Sequence, residues 1–324
     1  MSKYRQRPID FAGLQTVPIQ KRGGKVRTAD FASPYVKGAG VEGLLDSLPR
    51  ILAGNSFRDL VDAVAGARAA GKPVIWGLGG HVIKCGLAPV LIDLMQRGYA
   101  TAFAMNGAAS IHDFEIAIAG CTSEDVEAVL PDGRFGAAEE TGREMNLAIA
   151  RGIAEGLGIG ESLGRRLDEI AGARYAGHSL VLTAWRHSTP VTVHVAIGAD
   201  TPHTHPQADG AAIGAATHRD FRLFCSLVAE LNQGGVYINV GSAVVLPEVF
   251  LKAVSVVRNL GRPLAAFTTA NLDFLQHYRP TENVIKRPVK NAGRGIPITG
   301  HHEILIPLLA AWLVELSPDT RNDE

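Results

Sequence analysis

The sequence predicts an α/β protein with a single doubly wound, mostly parallel sheet and a helical insertion. Apolar runs rich in Val, Ile and Ala alternate with segments of helical periodicity along most of the chain. These runs lack strict polar–apolar alternation, which is typical of parallel strands that are buried on both faces. Residues 121–177 show helical periodicity without an intervening strand pattern, and this stretch predicts the insertion.

The segment from Pro73 to Gly120 predicts the centre of the sheet. Val74–Trp76 is a short apolar run, and the glycines after it predict a tight turn. Apolar residues from Leu87 to Met95 recur at helical spacing, and Tyr99–Met105 predicts a second strand. Two strands joined by one helix predict a right-handed parallel unit. Ligands bind at the carboxyl ends of the strands in such sheets.

The remaining elements follow from the same periodicities. Thr122 and Asp125 have the spacing of a capping box at the start of a helix. The chain predicts, in order, helices over Ser56–Ala70, Ala137–Gly156, Glu161–Ala173 and Ser179–His187, a strand over Val191–Ile197, a helix over Phe221–Leu231, a strand over Val236–Val240, a helix over Pro247–Leu260, a strand over Leu264–Thr268 and a helix over Ile304–Glu315.

No linker rich in Pro, Gly or Ser divides the chain, so we expect one domain over residues 38–316 that contains the insertion. Residues 1–37 carry eight Lys or Arg residues against two Asp residues and predict a basic arm. We expect this arm to pack on a neighbouring subunit and not on a nucleic acid. Residues 317–324 predict a polar tail.

Composition excludes several functional classes. The formal net charge is zero, which argues against bulk attraction to nucleic acid or to a membrane surface. The three cysteines are widely spaced and predict free thiols in a reducing compartment. The N-terminal segment has no apolar region of the secretory type, and no apolar run is long enough to span a bilayer. We therefore expect a cytoplasmic protein.

Glycine turns at the predicted strand ends indicate a phosphate-binding edge. The run GLGGHVIKCG follows the first strand, and Asn106 with Gly107 follows the second. A glycine turn lets the backbone approach a phosphate closely, and the next helix offers unpaired N–H groups. The run differs from the usual Gly-x-Gly-x-x-Gly pattern, so a tight turn without a ligand is the alternative interpretation.

Four polar clusters follow apolar runs, and we expect them to meet at one edge of the sheet. They contain His112, Asp113 and Glu115; Asp200, His203, His205 and Asp209; Thr268, Thr269, Asp273, His277, Arg279, Glu282 and Lys286; and His301, His302 and Glu303.

Metal binding is one possible use of these clusters. His203, His205 and Asp209 have side chains that suit transition metals, and a metal-dependent hydrolase is one alternative function. No helical His-Glu-x-x-His motif and no cysteine ligand accompanies them, so we predict hydrogen bonding and no metal.

Six segments between about Val36 and Glu315 resemble deoxyhypusine synthases, and they occur in the same order. They are WGLGGHVIKCGL at 76–87, residues 106–113, HSLVLTAWRHSTPV at 178–191, VGSAVVLPEVF at 240–250, RPTENV at 279–284 and ILIPLLAAWLVE at 304–315. The resemblance implies a Rossmann-like, NAD-binding domain and a homotetramer with sites between subunits. Residues 106–120 also resemble archaeal-type ornithine cyclodeaminases, which share this fold and use NAD transiently.

The resemblance implies a set of NAD contacts on the matching turns. Asp200 matches the family's aspartate only after a two-residue shift, and His301 stands where the family has an aspartate. A family histidine falls on Pro247. The implied contacts are Gly79, Gly80, His81, Lys84, Asn106, Gly107, Ala108, Asp200, Gly241, Thr269, His301 and His302.

The family's catalytic lysine is not retained at its position. An ungapped alignment places Pro288 at the lysine and Lys286 at the preceding tryptophan. This departure favours NAD-dependent oxidation of an amine or amino acid to an imine over aminobutyl transfer. A transferase of the deoxyhypusine or homospermidine synthase type that uses Lys286, and a nucleotide-binding protein without catalysis, are the alternatives.

The candidate catalytic residues follow from that chemistry. His205 or His112 is the predicted base, because the pKa of histidine lies near working pH. Asp209 or Glu282 would hold the substrate ammonium. Lys286 would bind an anionic group such as a carboxylate and would form no covalent imine.

Overall fold

The computed structural model describes residues 2–317 and confirms the predicted α/β fold class. Within that range six parallel strands form one sheet in the order β3-β2-β1-β4-β5-β6. The chain therefore starts in the middle of the sheet, and the strand order reverses between β1 and β4. The strands are β1 Val74–Leu78, β2 Ala102–Asn106, β3 Val191–His194, β4 Val236–Val240, β5 Phe267–Asp273 and β6 Gly293–Thr299.

Helices connect the strands and form the insertion. The α-helices are α1 Gly40–Ser47, α2 Leu52–Ala69, α3 Gly80–Lys84, α4 Ala88–Gln96, α5 Gly107–Ala119, α6 Val126–Val129, α7 Glu139–Ala154, α8 Ile159–Ile170, α9 Ala173–Ala176, α10 Leu180–Arg186, α11 Gly210–Ala229, α12 Val245–Asn259, α13 Tyr278–Pro280 and α14 His302–Glu315. Short 3-10 helices cover Ile19–Lys21, Thr28–Asp30, Leu130–Asp132 and Thr201–Thr204, and a π-helix over Thr281–Lys286 continues α13.

Both faces of the sheet are buried. Trp76 and Phe103 belong to an apolar core that includes α2, α4, α5 and α14. Ile75 and Ala104 point to the other face and belong to a second core with α11 and α12. Neighbouring residues of one strand thus enter different cores, which is why the strands are apolar throughout.

The sequence interpretation misplaced three elements. β5 covers Phe267–Asp273 and not Leu264–Thr268, and β3 ends at His194 and not at Ile197. In addition, β6 was not predicted. α11 begins at Gly210, eleven residues before the expected Phe221, because Asp209 accepts hydrogen bonds from the first N–H groups of the helix.

The expected capping box is also wrong. Asp125 is itself the N-cap of α6, since its side chain accepts a hydrogen bond from the Ala128 N–H. The hydroxyl of Thr122 is engaged elsewhere, as described below.

The exposed side of the edge strand β3 is covered by side chains of α11. The Val193 N–H donates to Asp220 Oδ2 at 2.8 Å, and the Thr217 hydroxyl donates to the Val193 carbonyl at 2.9 Å. Asp220 also accepts from the Gly160 N–H at 3.0 Å, which ties α8 to the same strand. Burial raises the pKa of Asp220 to about 7, while these backbone hydrogen bonds oppose the rise.

The N-terminal segment contributes little to either core. Every residue of 2–37 is exposed except Asp30, which is half-buried. Large apolar side chains lie uncovered on this arm, among them Tyr4, Ile9, Phe11, Leu14 and Ile19. The polar tail expected at 317–324 lies outside the described residues apart from Ser317. Among residues 2–317, no helix combines the length and the apolar character needed to cross a bilayer.

Candidate functional site

Three turns meet at the carboxyl edge of the sheet, at the point where the strand order reverses. The Gly79 N–H donates to the Val240 carbonyl at 2.9 Å, which joins the β1–α3 turn to the end of β4. A Cβ atom added to Gly79 would lie 2.0 Å from the Gly241 oxygen, and one on Gly80 would lie 2.8 Å from the Ala108 Cβ. The three backbones approach one another as closely as glycine allows. Open parallel sheets bind their ligands at this position.

The second turn is organised by Asn106 and Asp200. The Asn106 side chain accepts from the Ala109 N–H at 2.9 Å and caps α5. The Asp200 carboxylate comes from the loop after β3, and a Cβ atom on Gly107 would lie 2.0 Å from it. Burial raises the pKa of Asp200, and a hydrogen bond from the Ala196 N–H opposes the rise. An acidic group thus lies at the positive end of α5.

Two buried polar atoms near this edge have no hydrogen-bond partner among residues 2–317: His302 Nδ1 and Asn239 Oδ1. The opposite ring nitrogen of His302 lies 3.2 Å from the Leu272 carbonyl and 3.8 Å from Asp273 Oδ1. The His302 ring packs on the glycine turn after β4, since a Cβ atom on Gly241 would lie 2.8 Å from its Cε1. Burial lowers the pKa of His302. Unsatisfied polar groups of this kind suit a bound ligand.

An aromatic surface extends the edge beyond α3. The Phe274 ring is nearly parallel to the His301 ring, with centroids 6.2 Å apart. It meets His81 edge-on at 6.2 Å, and His81 in turn lies 5.6 Å from His302. The Phe274 side chain is partly exposed. Such a surface can stack with a planar ring of a ligand.

A hydrogen-bonded chain begins at His112, beside the first glycine turn. His112 Nδ1 lies 2.7 Å from the Thr122 hydroxyl, which donates to Glu115 Oε2. The Thr141 hydroxyl donates to the other oxygen of Glu115 at 3.1 Å. The Thr122 proton is used by Glu115, so His112 Nδ1 must donate to Thr122 and its Nε2 is left as an acceptor.

The ionisation of His112 differs from the expectation. Burial, and then the charge of Lys84, lower the pKa of His112 to about 4. The imidazole is therefore neutral near pH 7, and it is a weaker base than the sequence interpretation assumed. The Cδ2 atom of His112 would lie 3.3 Å from a Cβ on Gly80, so the ring borders the glycine turn.

Asp113 has a structural role in the same helix. Its buried carboxylate accepts from the Ser179 hydroxyl, from the Leu180 N–H at 2.7 Å and from the Val181 N–H at 3.0 Å. Burial raises the pKa of Asp113 to about 6, and these hydrogen bonds oppose the rise. Asp113 thus fixes the start of α10 against α5 and has no part in the open edge.

The structure does not bring Thr269, Glu282 and Lys286 to this edge of a single chain. Thr269 is buried inside β5, where its hydroxyl donates to the Val284 carbonyl at 2.7 Å. This pairing places the π-helix beside the amino-terminal half of β5. Lys286 is exposed there and lies 2.7 Å from Glu282 Oε1.

His203, His205 and Asp209 do not form a joint metal site. Asp209 caps α11, and His205 Nε2 lies 3.3 Å from Glu139 Oε2. His203 Nδ1 is buried without a partner in the described part of the chain. These three residues lie between β3 and α11, and His203 borders a small cavity together with Gly107 and Asp200.

A different group has potential ligand atoms close together. In the described chain, the ligand atoms of His81, Cys85 and Glu303 all lie within 4.8 Å of one another. Cys85 Sγ is 3.2 Å from His81 Nε2, and the thiol donates to Glu303 at 3.8 Å. Burial and then the Glu303 charge raise the pKa of the Cys85 thiol. Two of its three side chains are exposed, and exposed acidic groups are common without an ion, so we assign no metal to this group.

Sequence reasoning missed several residues of this edge. Asn239 lies inside an apolar run, and Phe274 follows a strand whose end was misplaced. Thr122 and Thr141 follow Glu115 by 7 and 26 residues and lie outside α5, so helical spacing does not bring them together with it. The available signal was the spacing of His112 and Glu115, which are three residues apart and therefore share one face of α5.

The fold and this edge define a Rossmann-like, doubly wound α/β protein. No protein-family model matches the chain, and no curated protein sequence matches it. Among solved structures, it is similar to unliganded AgrE, with 18% identity and a TM-score of 0.52 over 83% of this chain and 34% of that chain. It is also similar to the ternary complex of AgrE with ornithine and NAD+, with 15% identity and a TM-score of 0.51 over 83% of this chain and 35% of that chain.

Two further structures are similar. A conserved protein from Methanococcus maripaludis S2, whose LOR/SDH assignment is itself a prediction, is 15% identical, with a TM-score of 0.51 over 82% of this chain and 71% of that chain. An Entamoeba histolytica protein, whose assignment as a deoxyhypusine synthase is itself a prediction, is 11% identical. Its TM-score is 0.47 over 88% of this chain and 96% of that chain. The chain spans about a third of AgrE. The likeness to AgrE and to the LOR/SDH protein shows the fold, and it supports the resemblance inferred from the sequence at that level.

Proposed function

We propose that this protein is an NAD-dependent enzyme that acts on an amine or amino acid through an imine. The observation that carries the proposal is the meeting of three glycine turns at the switch point, beside two buried polar atoms without partners. AgrE, which shares the fold, has been solved with ornithine and NAD+. The retained glycine turns support NAD binding, and the displaced lysine favours oxidation of an amine over aminobutyl transfer.

The residues at the edge fit a dinucleotide. The turn at Gly79 leads into the N-terminus of α3, where N–H groups suit a phosphate, and the Asp200 carboxylate at the start of α5 can accept a hydrogen bond from a ribose hydroxyl. Lys84 is exposed and has no ion-pair partner among residues 2–317, so its charge is available to an anion. Phe274 and His301 offer a stacking surface. When bound, NAD supplies a hydride acceptor for the carbon that bears the substrate nitrogen.

His112 is the residue that we expect to contact the substrate nitrogen. Its Nε2 is an acceptor, and the ring borders the turn of Gly80. A neutral imidazole accepts a hydrogen bond from an amine and orients the nitrogen lone pair. Thr122 and Glu115 fix the tautomer and position of the ring. Lys286 is paired with Glu282 outside this edge, so the proposed reaction needs no lysine adduct.

Calorimetric titration with NAD+ tests the cofactor assignment. We expect native protein to bind NAD+, and Lys84→Met to weaken binding by roughly three- to tenfold, because an exposed cation is removed from the phosphate side. Lys290→Met is the matched control, since Lys290 is exposed just before β6, at the opposite edge. Absence of NAD+ binding to native protein would overturn the proposal. A screen of amines with NAD+ then identifies substrates by nicotinamide absorbance.

We also propose that the protein is a homo-oligomer, most readily a homotetramer with sites between subunits. The support is the arm of residues 2–37, whose apolar side chains remain uncovered in one chain. Exposed apolar surface of this kind marks an interaction site. Light scattering at micromolar concentration should give a multiple of the chain mass, and removal of residues 2–37 should lower that multiple. A monomeric native protein would contradict this proposal.

A further inference from the structure

A cavity of about 800 Å³ opens at the amino end of β3, between α8, α10 and α11. Its volume is in the range of sites that hold small organic molecules. Thr189, Pro190 and Val191 line it at the point where the chain enters β3. The glycine turns of the cofactor edge follow the carboxyl ends of β1, β2 and β4. Because all strands of the sheet are parallel, this cavity lies at the opposite edge.

Two arginines of α11 line the cavity without a carboxylate partner. Arg219 and Arg222 are three residues apart and share one face of the helix. Both are exposed, and neither guanidinium forms an ion pair or a hydrogen bond within residues 2–317. By comparison, Arg143, Arg165 and Arg166 on the nearby helices α7 and α8 are each paired with a glutamate. A guanidinium has five N–H donors in a planar arrangement that matches phosphate and carboxylate oxygens.

Further hydrogen-bond donors line the same cavity. Trp185 belongs to α10, and Ser188 and Thr189 form the turn between α10 and β3. In the part of the chain that the structure describes, the indole N–H of Trp185 and the two hydroxyls have no hydrogen-bond partner. Free donors thus come from α10, from the turn and from α11. Such a lining suits a ligand with several acceptor oxygens.

The two carboxyl groups of the lining leave these donors free. Asp220 is buried, and its Oδ2 accepts from the Gly160 N–H at 3.0 Å and from the Val193 N–H at 2.8 Å. The Asp220 carboxylate is therefore bonded to the backbone of α8 and β3. Glu161 is exposed and forms no ion pair with either arginine.

The apolar part of the lining suits a compact hydrophobic group. Val181, Trp185 and Leu223 border the cavity together with the donors. Leu223 is a large apolar residue and yet 40% exposed. A ligand that covers Leu223 and the half-buried Trp185 removes apolar surface from water, which favours binding. We therefore expect the ligand to carry an apolar or aromatic body beside its acidic group.

We infer that this cavity binds a small phosphate monoester with an apolar or aromatic body, and that Arg219 and Arg222 contact the phosphate. A phosphate monoester carries a charge of about −2 near pH 7 and three acceptor oxygens, which match two guanidinium groups and the neighbouring hydroxyls. A carboxylate has a single charge and two oxygens, so it would satisfy fewer of these donors. The inference does not rest on the proposed function, because the cavity is separate from the cofactor edge.

Calorimetry with phenyl phosphate tests the inference on protein that is free of NAD+. Native protein should bind phenyl phosphate more tightly than inorganic phosphate, which has no apolar body. Benzyl alcohol, which has no charge, should not bind, and benzoate should bind about fivefold more weakly or less.

Variants of the charged residues locate the binding. Arg219→Gln and Arg222→Gln should each weaken phenyl phosphate binding by about tenfold, because charge-assisted hydrogen bonds are lost. Both side chains are exposed, so both variants should keep the native Tm. Arg151→Gln is the matched control, since Arg151 is an exposed arginine of α7 outside the cavity and should bind as native protein does. Glu161→Gln should bind phenyl phosphate at least as tightly as native protein, because a like charge is removed.

Each contrary result contradicts a specific part of the inference. No binding of phenyl phosphate, or native affinity in both Arg219→Gln and Arg222→Gln, would overturn the site. Benzoate binding as tight as that of phenyl phosphate would overturn the choice of a phosphate, and weaker binding by Glu161→Gln would overturn the anionic ligand. Finally, NAD+ is titrated into the same samples. Displacement of phenyl phosphate by NAD+ would place the phosphate at the cofactor edge and overturn the inference. Phenyl phosphate binding without NAD+ binding would support the inference and reject the proposed function.

Discussion

The contact between the β1–α3 turn and the β4–α12 turn depends on the missing side chain of Gly79. A Cβ atom there would lie 2.0 Å from the Gly241 oxygen and 2.5 Å from its carbonyl carbon. Real Cβ contacts are not shorter than 3.0 Å, so Gly79→Ala must move one backbone by at least 1 Å. The atoms in the way belong to the main chain, and no rotamer change can relieve the contact.

Two effects lower the free energy of unfolding of Gly79→Ala. Overpacking a buried position costs roughly 1–3 kcal/mol. The displacement also stretches the 2.9 Å bond from the Gly79 N–H to the Val240 carbonyl, which contributes about 1 kcal/mol. We therefore expect Gly79→Ala to destabilise the protein by about 3 kcal/mol and to lower Tm by roughly 5 °C. NAD+ affinity should fall as well, because the turn is displaced at the switch point.

Gly66→Ala is the control for this prediction. Gly66 lies on the exposed side of α2 with nothing within 4 Å of an added Cβ, so alanine should stabilise the helix by up to about 1 kcal/mol. Thermal unfolding and NAD+ titration of both variants provide the comparison. A Gly79→Ala protein with native Tm and native affinity would refute the reasoning about the turns.

Three further predictions concern protonation, covalent chemistry and metal. In the folded protein the pKa of His112 is about 4, below its ordinary value of 6.5. The neutral His112 ring therefore contributes to the free energy of unfolding fully above pH 6.5, and this contribution is lost as the pH falls toward 4. Urea unfolding measures how far the free energy of unfolding falls between pH 7 and pH 4. That fall should be smaller in His112→Gln than in native protein by an amount on the order of 3 kcal/mol, and an equal fall in both proteins would contradict this pKa. Borohydride added during turnover should leave no adduct on Lys286, whose ammonium is paired with Glu282 outside the candidate site, and Lys286→Ala should leave KM and kcat close to native; a trapped adduct in the mass spectrum would restore the transferase mechanism. Chelator treatment should leave NAD+ binding unchanged, since the proposed phosphate contacts are N–H groups and Lys84, whereas stoichiometric zinc that is needed for binding would reverse that assignment.

The accuracy of the sequence interpretation varies with burial. β4 was predicted residue for residue as Val236–Val240, because all five side chains are buried and every one except Asn239 is apolar. β6 was missed because only Ile296 and Ile298 are buried in it, and because an edge strand tolerates Pro297. The end of β5 was placed too early, since Asn271 is polar and yet buried. Its partner in the fold is Asn239, at 2.7 Å, and a contact across two strands cannot be inferred from local pattern.

In the candidate site, features that depend on local sequence were predicted, and features that depend on contacts between distant segments were not. Glycine turns were recognisable because a local pattern marks the end of a strand and the start of a helix. The role of Glu115 was not recognisable from the sequence, because Thr122 and Thr141 contact its carboxylate only after the insertion has folded over α5. The lowered pKa of His112 is likewise a product of burial between α5 and the first turn.

The hydrogen bonds from α11 to β3 limit how copies of this chain can associate. An edge strand with free N–H and C=O groups can extend its sheet into that of another molecule. Here the outward N–H of Val193 is bonded to Asp220, and the carbonyl of the same residue is bonded to Thr217. A second chain could add a strand at β3 only after α11 had moved away. The β3 edge is therefore protected against strand-mediated association and aggregation.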